Sequence, residues 1–289
     1  MIAQVQNSLI SQGLQIEHSK SSNESRFDFI LEQLNLIFEN YEKQETPVFL
    51  FVKEGLIEKI AYFLAGFSQR SISVGIAGES ASGKSTIAID MIECIEHFEK
   101  KYKMNNLITR INTDDYYYDR SKEVAQAGGF DNFVKNYDLD SPDALELCLM
   151  CAHIEKLRKG QSVWLPKYDM SGTAKRYNNH TIAHPGKIIV SEGLFTLTEK
   201  VKDAFDFKIF VHVDEEIQKQ RWFYRAEQRG IKDSATEMYA NIIAKSKKNI
   251  RPTKDHADII INGNISRNLY KMFIVDVLDL IKNSIAIEA

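Results

Sequence analysis

Residues 71–78, SISVGIAG, form an apolar, β-branched run that leads without a break into Gly78-Glu79-Ser80-Ala81-Ser82-Gly83-Lys84-Ser85-Thr86, and a helical pattern follows over residues 87–99. A strand, a loop of the form G-x-x-x-x-G-K-[ST] and a helix must therefore be consecutive, which restricts the chain to folds built on that unit. Residue usage alone would give such a match in about one chain in a hundred of this length, before the two flanks are considered. The physics of the loop is specific to phosphate. Its glycines let backbone N–H groups curl around an anion, the helix presents the positive end of its dipole, and Lys84 adds a point charge at the outer phosphates. Ser85 can offer its hydroxyl to Mg²⁺. Residues 78–86 are thus read as the site of a nucleoside triphosphate, ATP or GTP, with Mg²⁺ as its companion ion.

Short β-branched runs continue at residues 106–113, 187–193, 206–214 and 256–262, with amphipathic segments between them. Strands alternating with helices predict a mainly parallel sheet with helices on both faces, the three-layer α/β sandwich of the P-loop NTPases. Ligands of such sheets sit at the carboxyl ends of the strands. A seam lies near residue 70. Before it, Phe27, Ile30, Leu31, Leu34, Ile37 and Phe38 recur at helical spacing, and a second apolar helical pattern covers residues 52–67. Residues 1–70 therefore read as a helical N-terminal extension whose first twenty residues are poorly ordered, and residues 71–289 as the P-loop domain, with a helical tail over 269–287. The extension can dock on the core, build a homo-oligomer or bind a partner, and its apolar stripes favour packing on the core.

Composition enters as an exclusion. With 37 Lys+Arg against 40 Asp+Glu the net charge is −3, so no general basic footprint exists for nucleic acid or an anionic membrane. Phosphate must be met by a local cluster. No apolar run approaches a membrane span, and the start lacks a basic stretch followed by an apolar one. The 3 cysteines do not make a disulfide framework, and a soluble cytoplasmic protein is expected.

A phosphate loop does not separate a kinase from a switch, so the residues at the next strand ends matter. The second strand runs into Thr113-Asp114-Asp115-Tyr116-Tyr117-Tyr118-Asp119. A carboxylate there can take a proton from an acceptor hydroxyl or position Mg²⁺, or it can simply start a turn. Further along stand Asp140-Ser141-Pro142-Asp143-Ala144, Pro166-Lys167-Tyr168-Asp169, the apolar strand ending in Glu192-Gly193, and Arg251-Pro252-Thr253-Lys254-Asp255-His256-Ala257-Asp258.

In that order these motifs resemble the uridine kinase and phosphoribulokinase superfamily, which also includes bacterial pantothenate kinases, over about residues 71–263. The resemblance implies an ATP-dependent kinase that moves the γ-phosphoryl group to a hydroxyl of a small molecule. It makes Asp114 the catalytic carboxylate, with Asp115 the adjacent alternative, and adds Glu192 to Ser85 and Asp114 around Mg²⁺. It implies an acceptor pocket with Tyr117, Asp140, Tyr168 and Arg176, and it sets Pro252 and Lys254 beside the nucleotide base. Family members also carry an arginine-bearing lid helix after the fourth strand, here about residues 216–230. Arg221, Arg225 and Arg229, four apart, share one helical face there. Lid arginines would supply Arg221 and Arg225 to catalysis and Arg229 to the nucleotide; a solvated basic face paired with Glu227 is the bland alternative.

The acceptor class is open at this level. A nucleoside such as uridine or cytidine fits the branch, yet the histidine by which uridine kinases contact the pyrimidine has no counterpart in Tyr168-Asp169-Met170-Ser171-Gly172-Thr173-Ala174-Lys175-Arg176. His180 and His184 stand later, on an expected loop. Lys175 and Arg176 would suit a sugar phosphate, and the long helical lead is similar to that of pantothenate kinases. Gly128-Gly129-Phe130 reads as a flexible acceptor-side loop. Cys148 and Cys151, with His153, sit in an amphipathic helical pattern and read as buried or half-buried thiols instead of a zinc site. Tyr116, Tyr117 and Tyr118 read as a pocket wall. A GTPase-like binding protein is the competing class, since Asp169-Met170-Ser171-Gly172 satisfies D-x-x-G; no guanine-reading N-K-x-D follows.

Overall fold

The computed structural model describes residues 20–231 and 234–286. The chain begins with α1 (Lys20–Glu42), β1 (Phe49–Val52), α2 (Leu56–Ala65), β2 (Ile72–Gly78), α3 (Lys84–Lys101) and β3 (Ile108–Asn112). Short helices α4 (Ser121–Gln126) and α5 (Phe130–Phe133) precede α6 (Leu147–Arg158), the hairpin of β4 (Val163–Tyr168) and β5 (Arg176–Ala183), and β6 (Ile188–Glu192). β7 (Phe207–His212), α7 (Glu215–Gln228), α8 (Ala235–Asn249), β8 (Ile259–Asn262) and α9 (Arg267–Ala286) complete it. The expectation of poor order over the first twenty residues lies outside the described residues for 1–19, as does the end of the expected tail at 287.

The main sheet has 6 strands in the order β1-β8-β7-β2-β6-β3. All neighbours are parallel except β1, which runs antiparallel along β8. The phosphate-loop strand β2 lies between β7 and β6 and is buried along its whole length, which is why it reads as a continuous apolar run and not as an alternation. One face of the sheet packs against α1, α2, α3 and α9, and the other against α6, the α4–α5 segment and the hairpin. This is the sandwich expected from the sequence.

β1 is where the sequence pattern misleads. The apolar pattern over 52–67 predicts helix from residue 52, whereas residues 49–52 form an edge strand and Gly55, at φ 78°, turns the chain into α2. A run of four or five apolar residues has no periodicity to choose between strand and helix, so tertiary pairing with β8 decides. Phe49 stacks on Phe38 of α1 at 5.0 Å and meets Phe273 of α9 at 4.9 Å, while Tyr41 Oη donates to Asp276 Oδ2 at 2.7 Å. The N-terminal helices therefore share a core with α3 and α9.

The β4–β5 hairpin is the second difference. β5 is exposed along most of its length, so it carries no apolar alternation, and His180 lies on this strand and not on a loop. The segment expected to be a flexible loop contains α4 and α5, with Gly128 and Gly129 at φ 75° and 130° between them. On α6, Cys151 is half-buried as expected, but Cys148 is exposed because it stands on the outer side of that helix. Among the described residues no helix is long and apolar enough to cross a membrane.

Candidate active site

The carboxyl ends of β2, β6 and β3 lie side by side, with Glu192 in register with Ile76 on one side and Asn112 on the other. The loop after β2 turns tightly enough that a Cβ on Gly78 would stand 2.6 Å from both Ser82 Oγ and Val211 O. Gly83, at φ 99°, caps α3, whose first residue is Lys84. The loop following β8 closes against this cradle, since a Cβ on Gly263 would come within 2.1 Å of Ser82 O. Glycine at 78 and 263 is thus a requirement of backbone approach.

Ser85 Oγ donates to Glu192 Oε2 at 3.1 Å, and Arg110 stands 3.5 Å from the other oxygen of Glu192. Two hard oxygen donors side by side, next to a phosphate cradle, suit Mg²⁺, which keeps waters and takes one or two protein ligands. Lys84 is half-buried and interacts electrostatically with Glu192. Burial lowers its pKa, Arg225 lowers it further, and Glu192 and Asp114 oppose that shift. Asp114 shows the converse: burial raises its pKa, Glu192 and Asp115 add to the rise, and Lys84 counters it. Lys84, Arg225, Glu192, Asp114 and Asp115 form one charge cluster.

The two adjacent acids have different surroundings. Asp115 pairs with Lys167 at 3.1 Å and accepts from the Tyr168 N–H at 3.2 Å, so it fastens β4 to the turn. Asp114 has no such partner among the described residues; its backbone N–H donates to Asn112 Oδ1 at 3.2 Å and its carboxyl interacts electrostatically with Lys84 and Glu192.

The raised carboxyl of Asp114 has a thermodynamic consequence. It binds its proton more tightly in the folded state than in the unfolded state, so stability falls as pH rises from the ordinary carboxylate value through the folded one. Above that window the loss is complete. Asp114→Asn removes the charge, so it raises the melting temperature at pH 7, and the gain closes near pH ~4. Scanning calorimetry across that range checks it; equal melting temperatures at pH 7 would refute the coupling.

On α7, which spans the expected lid, the three arginines part company. Arg221 donates to Gly263 O at 2.9 Å, to Asn264 Oδ1 at 3.1 Å and to Ser82 O at 3.4 Å, bracing the phosphate loop against the loop after β8. Arg225 is exposed, makes no side-chain hydrogen bond or ion pair among the described residues, and has its pKa lowered by partial desolvation and by Arg229 and Arg221. It lines a cavity of about 400 Å³ with Gly83, Thr86, Arg221, Tyr224 and Arg267. Arg229 at the end of α7, and Pro252 and Lys254 in the turn before β8, do not line that cavity. Glu227 pairs with none of the three arginines.

On the acceptor side, Tyr117 and Tyr168 are both buried with ring centroids 5.1 Å apart. The Tyr168 hydroxyl is buried without a partner among the described residues, and burial pushes its pKa up to about 12. Tyr116 hydrogen-bonds His153 Nδ1 at 2.9 Å and is buried in the core. Asp140 reaches Lys245 of α8 at 3.3 Å, and its carbonyl accepts from Asn249 Nδ2 at 2.9 Å. Arg176 is committed elsewhere, to Glu146 at 2.7 Å and Asn178 at 2.9 Å. The D-x-x-G residues form the β4–β5 turn, where Asp169 accepts from Ser171 N and Thr173 Oγ1. Arg110, Gly263, Gln218 and Ser246 were not singled out by sequence, since each acts through a partner distant along the chain.

Comparison with known proteins agrees with this geometry. Residues 73–269 match the Phosphoribulokinase / Uridine kinase family model. The chain is 34% identical over 198 residues to the uridine kinase of Clostridium tetani (strain Massachusetts / E88), covering 67% of this chain and 88% of that protein. It is 31% identical over 192 residues to uridine kinase-like protein 5 of Arabidopsis thaliana, covering 65% of this chain but only 38% of the plant protein's length. Among solved structures, the phosphoribulokinase from Rhodobacter spheroides superposes with a TM-score of 0.45 at 15% identity, over 66% of this chain and 69% of that one. With a family model covering most of the chain and the phosphate loop, Glu192 and Asp114 gathered at adjacent strand ends, the chain belongs to the phosphoribulokinase / uridine kinase family.

Proposed function

We propose that the chain transfers the γ-phosphoryl group of ATP to a hydroxyl of an uncharged nucleoside, uridine or cytidine being the first candidates. The observation that carries this reading is the contact of Ser85 with Glu192 beside Lys84 and Asp114 at the end of the phosphate loop. Phosphoryl transfer needs little covalent chemistry from a protein; alignment and neutralisation of the phosphoryl oxygens do most of it. Lys84 and Arg225 meet the outer phosphates, with Arg221 holding the loop to which they are fitted. Ser85 and Glu192 would hold Mg²⁺, which neutralises charge on the phosphates when bound. Asp114 takes the proton of the acceptor hydroxyl. Its raised pKa suits that role, because a base nearer to the working pH transfers protons more effectively. Tyr117, Tyr168 and Asp140 form the acceptor wall, and the unpartnered Tyr168 hydroxyl can hydrogen-bond a ligand there.

The choice of an uncharged acceptor follows from how the cations on that side are committed. Arg176 is held by Glu146, Lys167 by Asp115, Lys245 by Asp138 at 2.8 Å, and Arg120 by Glu123 at 2.9 Å. Lys175 sits over the Tyr177 ring on the outside of the hairpin. A phosphate monoester would find its candidate cations already neutralised, whereas hydroxyls need only donors and acceptors.

An ATP-consumption screen over uridine, cytidine, other nucleosides, pantothenate, ribulose 5-phosphate and simple sugars tests both parts. Turnover confined to nucleosides is expected. Turnover of the sugar phosphate alone would overturn the acceptor class, and tight GTP and GDP binding with no phosphorylated product would favour the switch-like class.

A further inference from the structure

The loop that cradles the phosphates carries an acid that the proposed chemistry does not use. Glu79, directly after Gly78, is 4% exposed, and its Oε1 accepts from Ser246 Oγ of α8 at 2.6 Å and from Arg251 Nε at 2.8 Å. Arg251 also reaches Glu215, the first residue of α7, at 2.7 Å, and its Nη2 is buried without a partner among the described residues. Two further side chains of α7 hold the same stretch of loop, Gln218 at Ser80 O (2.9 Å) and Arg221 at Ser82 O.

A carboxylate within an anion cradle works against the cradle unless a cation covers it, since a like charge nearby disfavours a bound phosphate as it disfavours a second ionised acid. A backbone-only loop would have served the phosphates. The acid therefore has to be read together with its cover. Glu79 joins the cradle to the end of α8 and, through Arg251, to the start of α7, so that the loop and both helices behind it are tied at one point.

We propose that Glu79 and Arg251 form a charge clasp that positions the phosphate loop on α7 and α8, with Arg251 shielding the bound triphosphate from the Glu79 carboxylate; this rests on the loop being a triphosphate site. Both are positioning residues, acting on the nucleotide through the loop. The signature of a clasp is that losing the cover is worse than losing the clasp whole. Arg251→Leu leaves a buried acid uncovered in the phosphate loop, whereas adding Glu79→Gln removes that charge and keeps an oxygen for Ser246.

The test measures dissociation constants for ATP and for adenosine by calorimetry on the full chain, with melting temperatures to compare folding. Arg251→Leu should weaken ATP binding by about tenfold or more and leave adenosine binding unchanged. The Glu79→Gln/Arg251→Leu double variant should recover most of the lost ATP affinity, and Arg251→Lys should stay close to wild type. Arg251→Gln, which drops the charge and keeps a hydrogen-bonding amide, should behave as Arg251→Leu does and stands in for it if that variant does not fold. ATP affinity within about twofold of wild type in folded Arg251→Leu or Arg251→Gln, no recovery in the double variant, or equal losses for ATP and adenosine would each overturn the clasp. Failure of the wild-type chain to bind ATP at all would remove the triphosphate reading itself and the clasp with it.

Discussion

Asp114→Asn lowers kcat by about a hundredfold to ten-thousandfold, the range of general acid–base assistance, and leaves ATP affinity in place. The amide keeps the volume and the turn, whose Asn112 contact is made by the backbone N–H and not by the carboxyl. What it loses is the acceptor for the hydroxyl proton. Asp115→Asn should differ in kind. That acid pairs with Lys167 and accepts from Tyr168 N, so its loss loosens the β4 end of the acceptor wall and shows first as a higher acceptor KM. Steady-state kinetics on the two variants, with nucleotide binding measured separately, decide between them. A dead Asp115→Asn beside an active Asp114→Asn would move the base by one residue. The pH profile adds a further check: activity lost by protonating Asp114 should fall away on the acid side at a pH above the usual carboxylate range, because burial raises this group.

Lys84→Ala is expected to reduce kcat by about a hundredfold to a thousandfold, the scale for removing one preorganised charge-stabilising group, and to weaken ATP binding as well. Two effects combine. The outer phosphates lose a half-buried cation, and Asp114 and Glu192 lose the positive charge that offsets both of them. Taking away one partner of a buried charge cluster leaves the others uncompensated, which costs more than the attraction alone. Calorimetry with ATP and single-turnover kinetics separate the binding loss from the chemical one. Unaltered activity and affinity would remove the phosphate-loop reading altogether.

Much of this site is contiguous, and contiguous features are legible. The phosphate loop is nine residues between a strand and a helix, and each flank shows its own period, so the fold class follows from local pattern. Asp114 follows an apolar run at a strand end, and Glu192 stands out through the resemblance of its strand to the family's strand ending in Glu-Gly. The three-residue choices were harder. Asp114 and Asp115 are indistinguishable as neighbours in sequence, and Arg221, Arg225 and Arg229 share one helical face, yet one arginine braces backbone carbonyls while another is left facing Lys84. Arg176 stood beside an acceptor motif and proved to be consumed by Glu146, a residue no local pattern connects to it.

Period and contiguity thus determined the strand–loop–helix unit, the alternation of strands and helices and the place of the proposed phosphate loop, because each depends on neighbours a few positions apart. Pairing decided the rest. The edge strand β1 exists because Phe49 finds Ile261, the exposed β5 because it finds β4, and the Ser85–Glu192 contact because the two meet across 107 residues of chain. A short strand or a single charge has too little local signal to specify its partner. Its place is settled only when the folded core brings distant segments to the same sheet edge, where burial makes an unpaired strand or an uncovered charge costly.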